Sequence, residues 1–398
     1  MTQITFIADV HVANHKAHGG VAIDGVNDRC ARVLDCITQV ARTCTEETLL
    51  VVLGDLFDVD KPSPAIIDRT SRALRAGKAR VVALVGNHDQ TTAPNAELGG
   101  HGEHALLPLR SKQISVIERP SLVAYGDVDL LCVPFSPTVT PATLEATVRD
   151  LLVGQENGRT RVLCIHLGIW DAKTPPWLIG AHDAIAESDL RDIARTYRIS
   201  YVEAGNWHDQ RTWPPQNGDG VRISQVGALC PTGWDNPGLS GYGGVEFIET
   251  LSPSDKGSWG HTWIHGPRFI AFGRKGEPTA ESFEKTLSAI KPVKCHDDAL
   301  RRHSIYVRLY VKASELAAAA ARVKAAIDAG WLVGGEALVA DAAETRAATS
   351  SAAIEALKQG FNHDEAIARY VAAKEYPAGV TAERVLAKVK GYIQGGTP

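Results

Sequence analysis

Residues 48–58 read TLLVVLGDLFD, an apolar run that ends in a glycine and two aspartates. The run has the length and β-branched content of a buried strand, and Gly54 lets the chain turn tightly off its end. Three other segments share the apolar run that ends in polar residues: ITFIADVH at residues 4–11, VVALVGNHD at 81–89 and RVLCIH at 161–166. A fifth segment, GNWH at 205–208, has similar polar residues. Ligands of α/β sheets bind at the carboxyl ends of the strands, so the five segments are predicted to meet in one cleft.

The polar side chains of these segments are of the types that hold divalent metal ions. Asp55 is the natural bridge, because one carboxylate can share its charge between two ions. The other candidates form a mixed nitrogen and oxygen set: Asp9, His11, Asn87, His166 and His208. Such a set suits manganese or iron better than calcium. Two ions held roughly 3.5–4 Å apart can clamp the attacking and leaving oxygens of a phosphate ester.

His88 lies beside a candidate ligand and is interpreted as a catalytic residue. Its imidazole can act as a general acid on the leaving oxygen, or donate a hydrogen bond to the phosphate. Either Asp89 or Asp58 can orient it. The predicted catalytic residues are therefore His88, Asp89 and Asp58.

The order D-x-H, GDxxD, GNHD, a lone His after a strand and G-x-x-H resembles the calcineurin-like metallophosphoesterases. Within that superfamily the chain is most similar to the nuclease subunit of the bacterial SbcCD complex and its phage-encoded relatives. The segments that carry this likeness are VVLGDLFDVDKPSP at residues 51–64, VALVGNHDQ at 82–90 and QVGALCPTGWDNPGLSGYGGVEFIE at 225–249. The resemblance implies a two-metal hydrolase.

The resemblance also implies which residues share each ion. It gives one metal to Asp9, His11, Asp55 and His208, and the other to Asp55, Asn87, His166 and the position of Asn206. The family pattern reads G-H-x-H where this chain has Asn206 in place of the first His. Asn206 either ligates through its amide oxygen, a poorer donor than imidazole, or supports a ligand while water fills the gap. The second site is expected to be weak or to prefer manganese or magnesium.

Composition predicts a cytoplasmic enzyme. With 398 residues, of which 44% are hydrophobic, the chain is long enough for two or three domains. It has no long uninterrupted apolar window and no charged leader, so neither a membrane span nor a signal peptide is predicted. The odd count of 7 cysteines without CxxC spacing favours reduced thiols. The net charge of −4 does not exclude DNA, because bound ions would offset the acidic cluster.

The predicted fold is α/β (α+β), a two-sheet β-sandwich flanked by helices over residues 1–256. A smaller α/β capping domain is predicted for residues 257–340 and a helical tail for 341–398. In SbcD-like enzymes a domain at the position of residues 257–340 caps the active site and binds DNA. The resemblance suggests that the tail docks on a coiled-coil ATPase of SbcC type, while packing on its own domain is the alternative.

The sequence is therefore interpreted as a manganese-dependent DNA nuclease of a repair or recombination complex, with magnesium or iron as alternative metals. Metal-activated water is expected to attack a backbone phosphate. DNA, the ATPase and a second copy of the chain are the expected partners, and exonuclease and endonuclease activity both stay open. Trp177 and other tryptophans near the motifs can stack bases or simply pack. A small-molecule phosphodiesterase or phosphatase, and a DNA-end scaffold with a degenerate metal site, are the alternatives.

Overall fold

The computed structural model describes residues 2–90, 104–137, 139–155, 158–231, 233–234, 244–250, 258–264, 266–275, 277–278 and 305–340. The predicted helical tail at residues 341–398 lies outside these ranges and stays a prediction. Within them the helices are α1 Asp28–Thr43, α2 Pro64–Leu74, α3 Pro141–Leu151, α4 Glu187–Thr196 and α5 Leu316–Asp328. Three short 3-10 turns cover Leu107–Leu109, Pro176–Leu178 and Ala313–Glu315.

The strands of the described residues fall into four sheets. In chain order they are β1 Thr2–Ile7, β2 Thr48–Val52, β3 Arg80–Leu84, β4 Ile114–Ile117, β5 Ser121–Tyr125, β6 Val128–Val133, β7 Thr160–His166, β8 Gly168–Trp170, β9 Ala184–Ala186, β10 Tyr201–Gly205, β11 Arg211–Trp213, β12 Arg222–Gln225, β13 Gly244–Thr250, β14 Ser258–Trp263, β15 Arg268–Phe272, β16 Ile305–Val311 and β17 Gly334–Val339.

Two six-stranded sheets form the main body. The first has the order β14-β13-β1-β2-β3-β4, with β1 to β4 parallel and β13 antiparallel to β1. The second has the order β11-β12-β10-β7-β6-β5, with parallel strands β12, β10, β7 and β6 and antiparallel strands at both edges. Parallel strands must be covered on both faces, so each sheet needs an outer layer of helices.

Three apolar clusters build these layers. One lies between the sheets and contains Phe6 and Leu49 of the first sheet with Leu130 and Cys164 of the second. Helices α1 and α2 cover the outer face of the first sheet, and α3 and α4 cover that of the second. Ser63 caps α2 and Pro64 is its first residue. The prediction of a two-sheet α/β sandwich flanked by helices is confirmed.

A third sheet follows the sandwich. Strands β15, β16 and β17 are parallel, and α5 packs on them through Val323 and Ala326 against Val307 and Leu309. Strand β14 lies beyond the predicted boundary at residue 256, yet it pairs with β13 in the first sheet. The three-part division of the chain stays a prediction. Among the described residues, no helix is long and apolar enough to cross a membrane.

Candidate metal centre

Every predicted site residue lies at or just after the carboxyl end of a parallel strand. They are Asp9 and His11 after β1, Asp55 and Asp58 after β2, Asn87, His88 and Asp89 after β3, His166 at the end of β7, and Asn206 and His208 after β10. Strands β1, β2 and β3 belong to the first sheet, and β7 and β10 belong to the second. The edge where the two sheets meet therefore collects side chains that are far apart in the chain.

Asp55 stands between two groups of potential ligands. Its Oδ2 lies 3.8 Å from Nε2 of His11, and that nitrogen is 3.0 Å from Nε2 of His208. Its Oδ1 lies 3.4 Å from Nε2 of His166, and that nitrogen is 2.9 Å from Oδ1 of Asn87. Each carboxylate oxygen of Asp55 thus faces a different group, as expected of a bridging residue.

Asp9 completes the arrangement between the same groups. Its carboxylate forms one compact donor cluster with His11 and His208 and another with Asp55 and His166. Asp9 and Asp55 are 0% and 1% exposed. Two carboxylates buried side by side need a positive partner, since an uncompensated buried charge is costly.

The histidines present their ring nitrogens as metal ligands require. Nδ1 of His166 donates to the main-chain oxygen of Leu53 at 2.6 Å, and Nδ1 of His11 donates to Oδ1 of Asp58 at 3.1 Å. A hydrogen bond from one ring nitrogen fixes the tautomer and leaves the lone pair of the other nitrogen for an ion. Both Nε2 atoms point to the carboxylates of the site.

The spacing of the donor atoms also fits divalent ions. Ligands bound at about 2.1 Å and at right angles are about 3 Å apart. The separations of 2.9 Å between His166 and Asn87 and 3.0 Å between His11 and His208 agree with this value. The residues therefore fit a pair of ions that share Asp55.

The electrostatics of the cluster favour bound cations. Burial acts to raise the pKa of Asp55, but the charge and hydrogen bond of His166, followed by the charge of His11, hold it well below its usual range. Burial acts to lower the pKa of His166, yet the charge of Asp55 prevails and raises it to about 9. The same field that holds a proton on His166 would hold a metal ion there. Burial and the charge of His11 lower the pKa of His208 to about 4, so His208 is neutral and can ligate.

The backbone of the site is strained. Asp9, His11, Asp55 and Asn206 have φ angles of 49°, 50°, 49° and 90°. Left-handed conformations cost energy for residues with a Cβ, and such residues concentrate at functional sites. Gly54, with φ of 98°, approaches His166 so closely that a Cβ would lie 2.2 Å from Nδ1 of the imidazole. Only glycine fits there, which explains the residue that precedes Asp55.

His88 forms the exposed side of the site. Its side chain is 43% exposed, and its main-chain N–H donates to Oδ1 of Asp55 at 2.9 Å. Its Nδ1 donates to the main-chain oxygen of Asp58 at 3.1 Å and lies 3.8 Å from the Asp58 carboxylate. Of the two carboxylates predicted to orient His88, Asp58 is therefore the one in contact with it.

Asp89 has a different position from the one that the sequence suggested. Its carboxylate is fully buried and accepts hydrogen bonds from the main-chain N–H groups of Phe57 and Gly86, both at 2.9 Å. Burial and the charge of Asp55 raise the pKa of Asp89 to about 6. Asp89 thus fastens the turn after β2 to the turn after β3. Its contribution to the site is to position Asp55 and Asn87, not to orient His88.

Asn206 is held by contacts of both its backbone and its side chain. Its main-chain N–H donates to Asp9 at 2.9 Å, and its Nδ2 donates to the main-chain oxygen of Asp183 at 2.9 Å and to the Asp183 carboxylate at 3.2 Å. The amide nitrogen is thereby turned away from the ligand role, which leaves the amide oxygen as the only side-chain atom that can ligate. Direct ligation by Asn206 stays a prediction.

Two residues of the site were not expected from the sequence. His15 donates from Nε2 to the main-chain oxygen of His11 at 3.2 Å, and its Nδ1 lies 3.8 Å from Asp58. The spacing H-x-x-x-H in HVANH was a weak signal for it. Asp183, which orients Asn206, has no local signal, because it ends a long segment after β8.

The fold and the Asp and His clusters at its sheet edge are of the class found in metal-dependent phosphoesterases. The chain belongs to the calcineurin-like phosphoesterase family, whose model matches residues 2–210, just over half of the 398 residues. That range contains every predicted site residue. A comparison with curated proteins found no match.

A comparison with solved structures found similarity to a purple acid phosphatase and to two 5'-nucleotidases, among others. The purple acid phosphatase PPD1 from yellow lupin (Lupinus luteus) seeds has 14% identity and a TM-score of 0.42, over 64% of this chain and 50% of that chain. A putative 5'-nucleotidase from Staphylococcus aureus has 13% identity and a TM-score of 0.39, over 66% and 54%. A 5'-nucleotidase precursor from Thermus thermophilus has 13% identity and a TM-score of 0.35, over 66% and 54%. The chain spans about half the length of these proteins.

Proposed function

We propose that the chain is a metal-dependent nuclease that hydrolyses phosphodiester bonds of DNA. The observation that carries the hydrolytic part is the placement of the Asp55 carboxylate, with one oxygen toward His11 and the other toward His166. This arrangement fits two ions side by side, and such a pair can hold the attacking and leaving oxygens of a phosphate ester during hydrolysis. The exposed imidazole of His88 lies at the open side, where a substrate can reach it.

The ions would be held by the seven predicted ligands. Asp9, His11, Asp55 and His208 would hold one, and Asp55, Asn87, His166 and Asn206 the other. When bound, they would supply positive charge to the phosphate and activate water. Manganese suits this mixture of imidazole, amide and carboxylate donors, and magnesium or iron are the alternatives.

His88 is proposed to act on the leaving oxygen. Its Nδ1 faces the main-chain oxygen and the carboxylate of Asp58, and both keep a proton on that nitrogen. The opposite ring nitrogen, Nε2, then faces outward and can donate a proton or a hydrogen bond. Asp58 orients His88 and His11 together, since its Oδ1 also accepts from Nδ1 of His11 at 3.1 Å.

The choice of DNA as substrate is supported by Trp177. Its side chain is 80% exposed, although an indole gains much from burial. It lies on the segment between β8 and β9, whose ends are joined by a hydrogen bond from Gly168 N to Asp183 O at 2.9 Å. That junction is two residues from His166 and contacts Asn206 through Asp183. An exposed indole on such a segment offers a surface for stacking a base, which a small phosphate ester does not need.

The segment that carries Trp177 is well anchored. Asp171 accepts from Nε1 of Trp213 at 2.9 Å and from the main-chain N–H of Lys173 at 2.9 Å. Arg211 donates to Thr174 at 3.1 Å. These contacts hold residues 171–174, close to Trp177 in the chain, so the backbone of the segment loses little entropy when a base binds. Lys173 lies on the same segment and adds a positive charge for the phosphates, while Arg211 pairs with Asp171 at 3.5 Å.

The partners remain proposals. We propose that residues 341–398, outside the described part of the chain, bind a coiled-coil ATPase of SbcC type in the cytoplasm, where the pair would act in DNA repair or recombination. A second copy of the chain is the other proposed protein partner. Deleting the tail after about residue 360 should abolish ATPase association and spare hydrolysis of a small diester, whereas unchanged association would contradict the docking proposal.

The test is an assay of the purified chain with manganese on three substrates: linear duplex DNA, single-stranded DNA and bis(p-nitrophenyl) phosphate. Cleavage of DNA supports the nuclease, and its end products decide between exonuclease and endonuclease. Hydrolysis of the small diester alone would instead favour a small-molecule phosphodiesterase. DNA binding without hydrolysis of any substrate would favour a DNA-end scaffold.

A further inference from the structure

The loop between β1 and α1 joins the metal centre to the third sheet. This loop, residues 12–27, starts directly after His11 and ends at Asn27, the N-cap of α1. Asn27 donates from Nδ2 to the main-chain oxygen of His15 at 2.9 Å, and its main-chain N–H donates to Oδ1 of Asn14 at 2.9 Å. The loop is thus tied to the first turn of α1 as one unit.

Arg29, in that first turn, faces the third sheet. It is only 6% exposed, its Nη1 donates to the main-chain oxygen of Ala17 at 3.1 Å, and its guanidinium carbon lies 5.0 Å from the ring centroid of Phe269. A buried guanidinium over an aromatic face is a favourable cation–π arrangement. Arg29 therefore connects the loop with β15.

The aromatic surface that Arg29 meets is rigid. Phe269 of β15 and Tyr306 of β16 stack with centroids 4.7 Å apart and an interplanar angle of 11°. His18 of the loop lies 5.5 Å from Tyr306, and Gly334 of β17 approaches so closely that a Cβ there would meet Nδ1 of His18 at 3.0 Å. Tyr306 is fully buried. The third sheet therefore packs firmly on the loop.

The other end of the loop reaches the candidate ligand His11. His15 donates from Nε2 to the main-chain oxygen of His11, which has a strained φ of 50°. A strained conformation persists only where its surroundings hold it. Phe269 contacts Arg29, which donates to the main-chain oxygen of Ala17. The backbone then continues from Ala17 through residue 16 to His15, which donates to the main-chain oxygen of His11.

We propose that the third sheet positions the first metal site through Arg29 and His15, which act as positioning residues for His11. The proposal rests on the metal-binding part of the proposed function and not on the identity of the substrate. In this proposal the third sheet supports the position of a metal ligand, in addition to any contact that it makes with a substrate. Loss of either residue should relax the strained backbone of His11 and weaken the ion that it holds.

The test compares conservative and truncating variants of both positions. His15→Gln keeps an N–H donor for the carbonyl of His11, and His15→Ala removes it. Arg29→Lys keeps the charge but not the planar guanidinium, and Arg29→Ala removes both. Arg274→Ala is the matched control, because Arg274 is an exposed arginine next to β15 that pairs with Glu277.

The main readout is manganese affinity by titration calorimetry, with the absorption spectrum of the cobalt-loaded protein as a probe of ligand geometry. His15→Ala and Arg29→Ala should weaken one ion by about 10-fold or more, as losses of residues that support ligands do. His15→Gln should restore the affinity, and saturating manganese should restore the kcat for bis(p-nitrophenyl) phosphate. Arg274→Ala should match the wild type.

Two results would count against the inference. Unchanged manganese isotherms and cobalt spectra in folded His15→Ala would overturn it while the proposed metal centre stands. Failure of the wild-type chain to bind manganese would overturn the centre and the inference together. If Arg29→Ala does not fold, Arg29→Lys decides for the third sheet, because it keeps the charge but loses the planar guanidinium that lies over Phe269. Manganese isotherms and cobalt spectra of folded Arg29→Lys that match the wild type would then overturn the role of the third sheet.

Discussion

Replacing Asn206 by alanine separates a ligand role from a structural one. The side chain donates two hydrogen bonds to Asp183, at 2.9 Å to the main-chain oxygen and 3.2 Å to the carboxylate. The backbone has φ of 90°, which asparagine tolerates better than alanine. The main-chain N–H that donates to Asp9 is kept in the variant. The stability of Asn206→Ala therefore reports the structural role of the side chain, and its metal affinity reports the ligand role.

The structural cost can be worked from these contacts. Leaving the two acceptors of Asp183 without their donor costs about 1–3 kcal/mol, and an alanine in the left-handed region costs about 1–2 kcal/mol. The free energy of unfolding of the chain without ions should fall by about 2–5 kcal/mol in total. Asp183→Ala, which removes only the carboxylate acceptor, should lose less.

The metal readout is independent of that cost. If the amide oxygen of Asn206 ligates, Asn206→Ala should weaken the second ion by about 10–100-fold or more, and Asn206→His should bind it more tightly than the wild type. Asp183→Ala is the matched control, because it loosens the amide without removing the oxygen. Its manganese affinity should lie between the wild type and Asn206→Ala.

Titration calorimetry with manganese on the four proteins, together with denaturant unfolding, decides the matter. Identical manganese isotherms for the wild type and Asn206→Ala, with the expected loss of stability, would refute ligation and leave Asn206 a support for Asp9. That outcome would also favour the interpretation of the chain as a one-metal enzyme or as a DNA-end scaffold.

Four further substitutions test the bridge, the proton donor, the aromatic platform and the fold. Asp55→Ala should deplete both ions, so normal occupancy of two ions by metal analysis would refute the bridge. His88→Ala should reduce hydrolysis by about 10²–10⁴-fold with unchanged metal content, and full activity would remove His88 from the mechanism. Trp177→Ala should weaken single-stranded DNA binding by about 1–3 kcal/mol in a fluorescence titration and leave hydrolysis of a small diester unchanged. Burial acts to raise the pKa of Asp219, but the hydrogen bond from Arg191 outweighs it and lowers the pKa from 3.8 to about 2, so this carboxylate stabilises the fold above about pH 4 and loses that effect as the pH falls toward 2. Asp219→Asn should therefore lower Tm at pH 7, and the difference from the wild type should shrink between pH 4 and 2.

The sequence predicted the position of the site because its signals are local. An apolar run followed by a glycine or a polar residue marks a strand end, and β1, β2 and β7 end within one residue of their runs. The glycine before Asp55 was expected to provide a tight turn, and its φ of 98° agrees. Helix α2 begins at Pro64 after Ser63 for the same reason, since capping depends on neighbours in the chain.

The orientation of the side chains could not be predicted, because it depends on contacts between distant elements. The sequence offers both Asp89 and Asp58 as partners of His88, and only the fold directs Asp89 to the main chain of Phe57 and Gly86. Asp183 meets Asn206 through a junction between β8 and β9 that no local pattern indicates. The contact of Arg29 with Phe269 likewise requires the third sheet to be in place.

The hydrogen bonds that arrange the metal centre also close the sandwich at this edge. His166 of the second sheet donates to Leu53 of the first, and Asn206 of the second donates to Asp9 of the first. The core between the sheets is an apolar cluster, whereas this edge depends on polar groups that are buried with Asp9 and Asp55. Because buried carboxylates cost several kcal/mol unless a cation offsets them, metal binding and the stability of this edge are linked. Substitutions at Asp9 or Asp55 should therefore change the free energy of unfolding and the metal affinity together. His88 is exposed and does not connect the two sheets, so its substitution should change the rate of hydrolysis without changing either quantity.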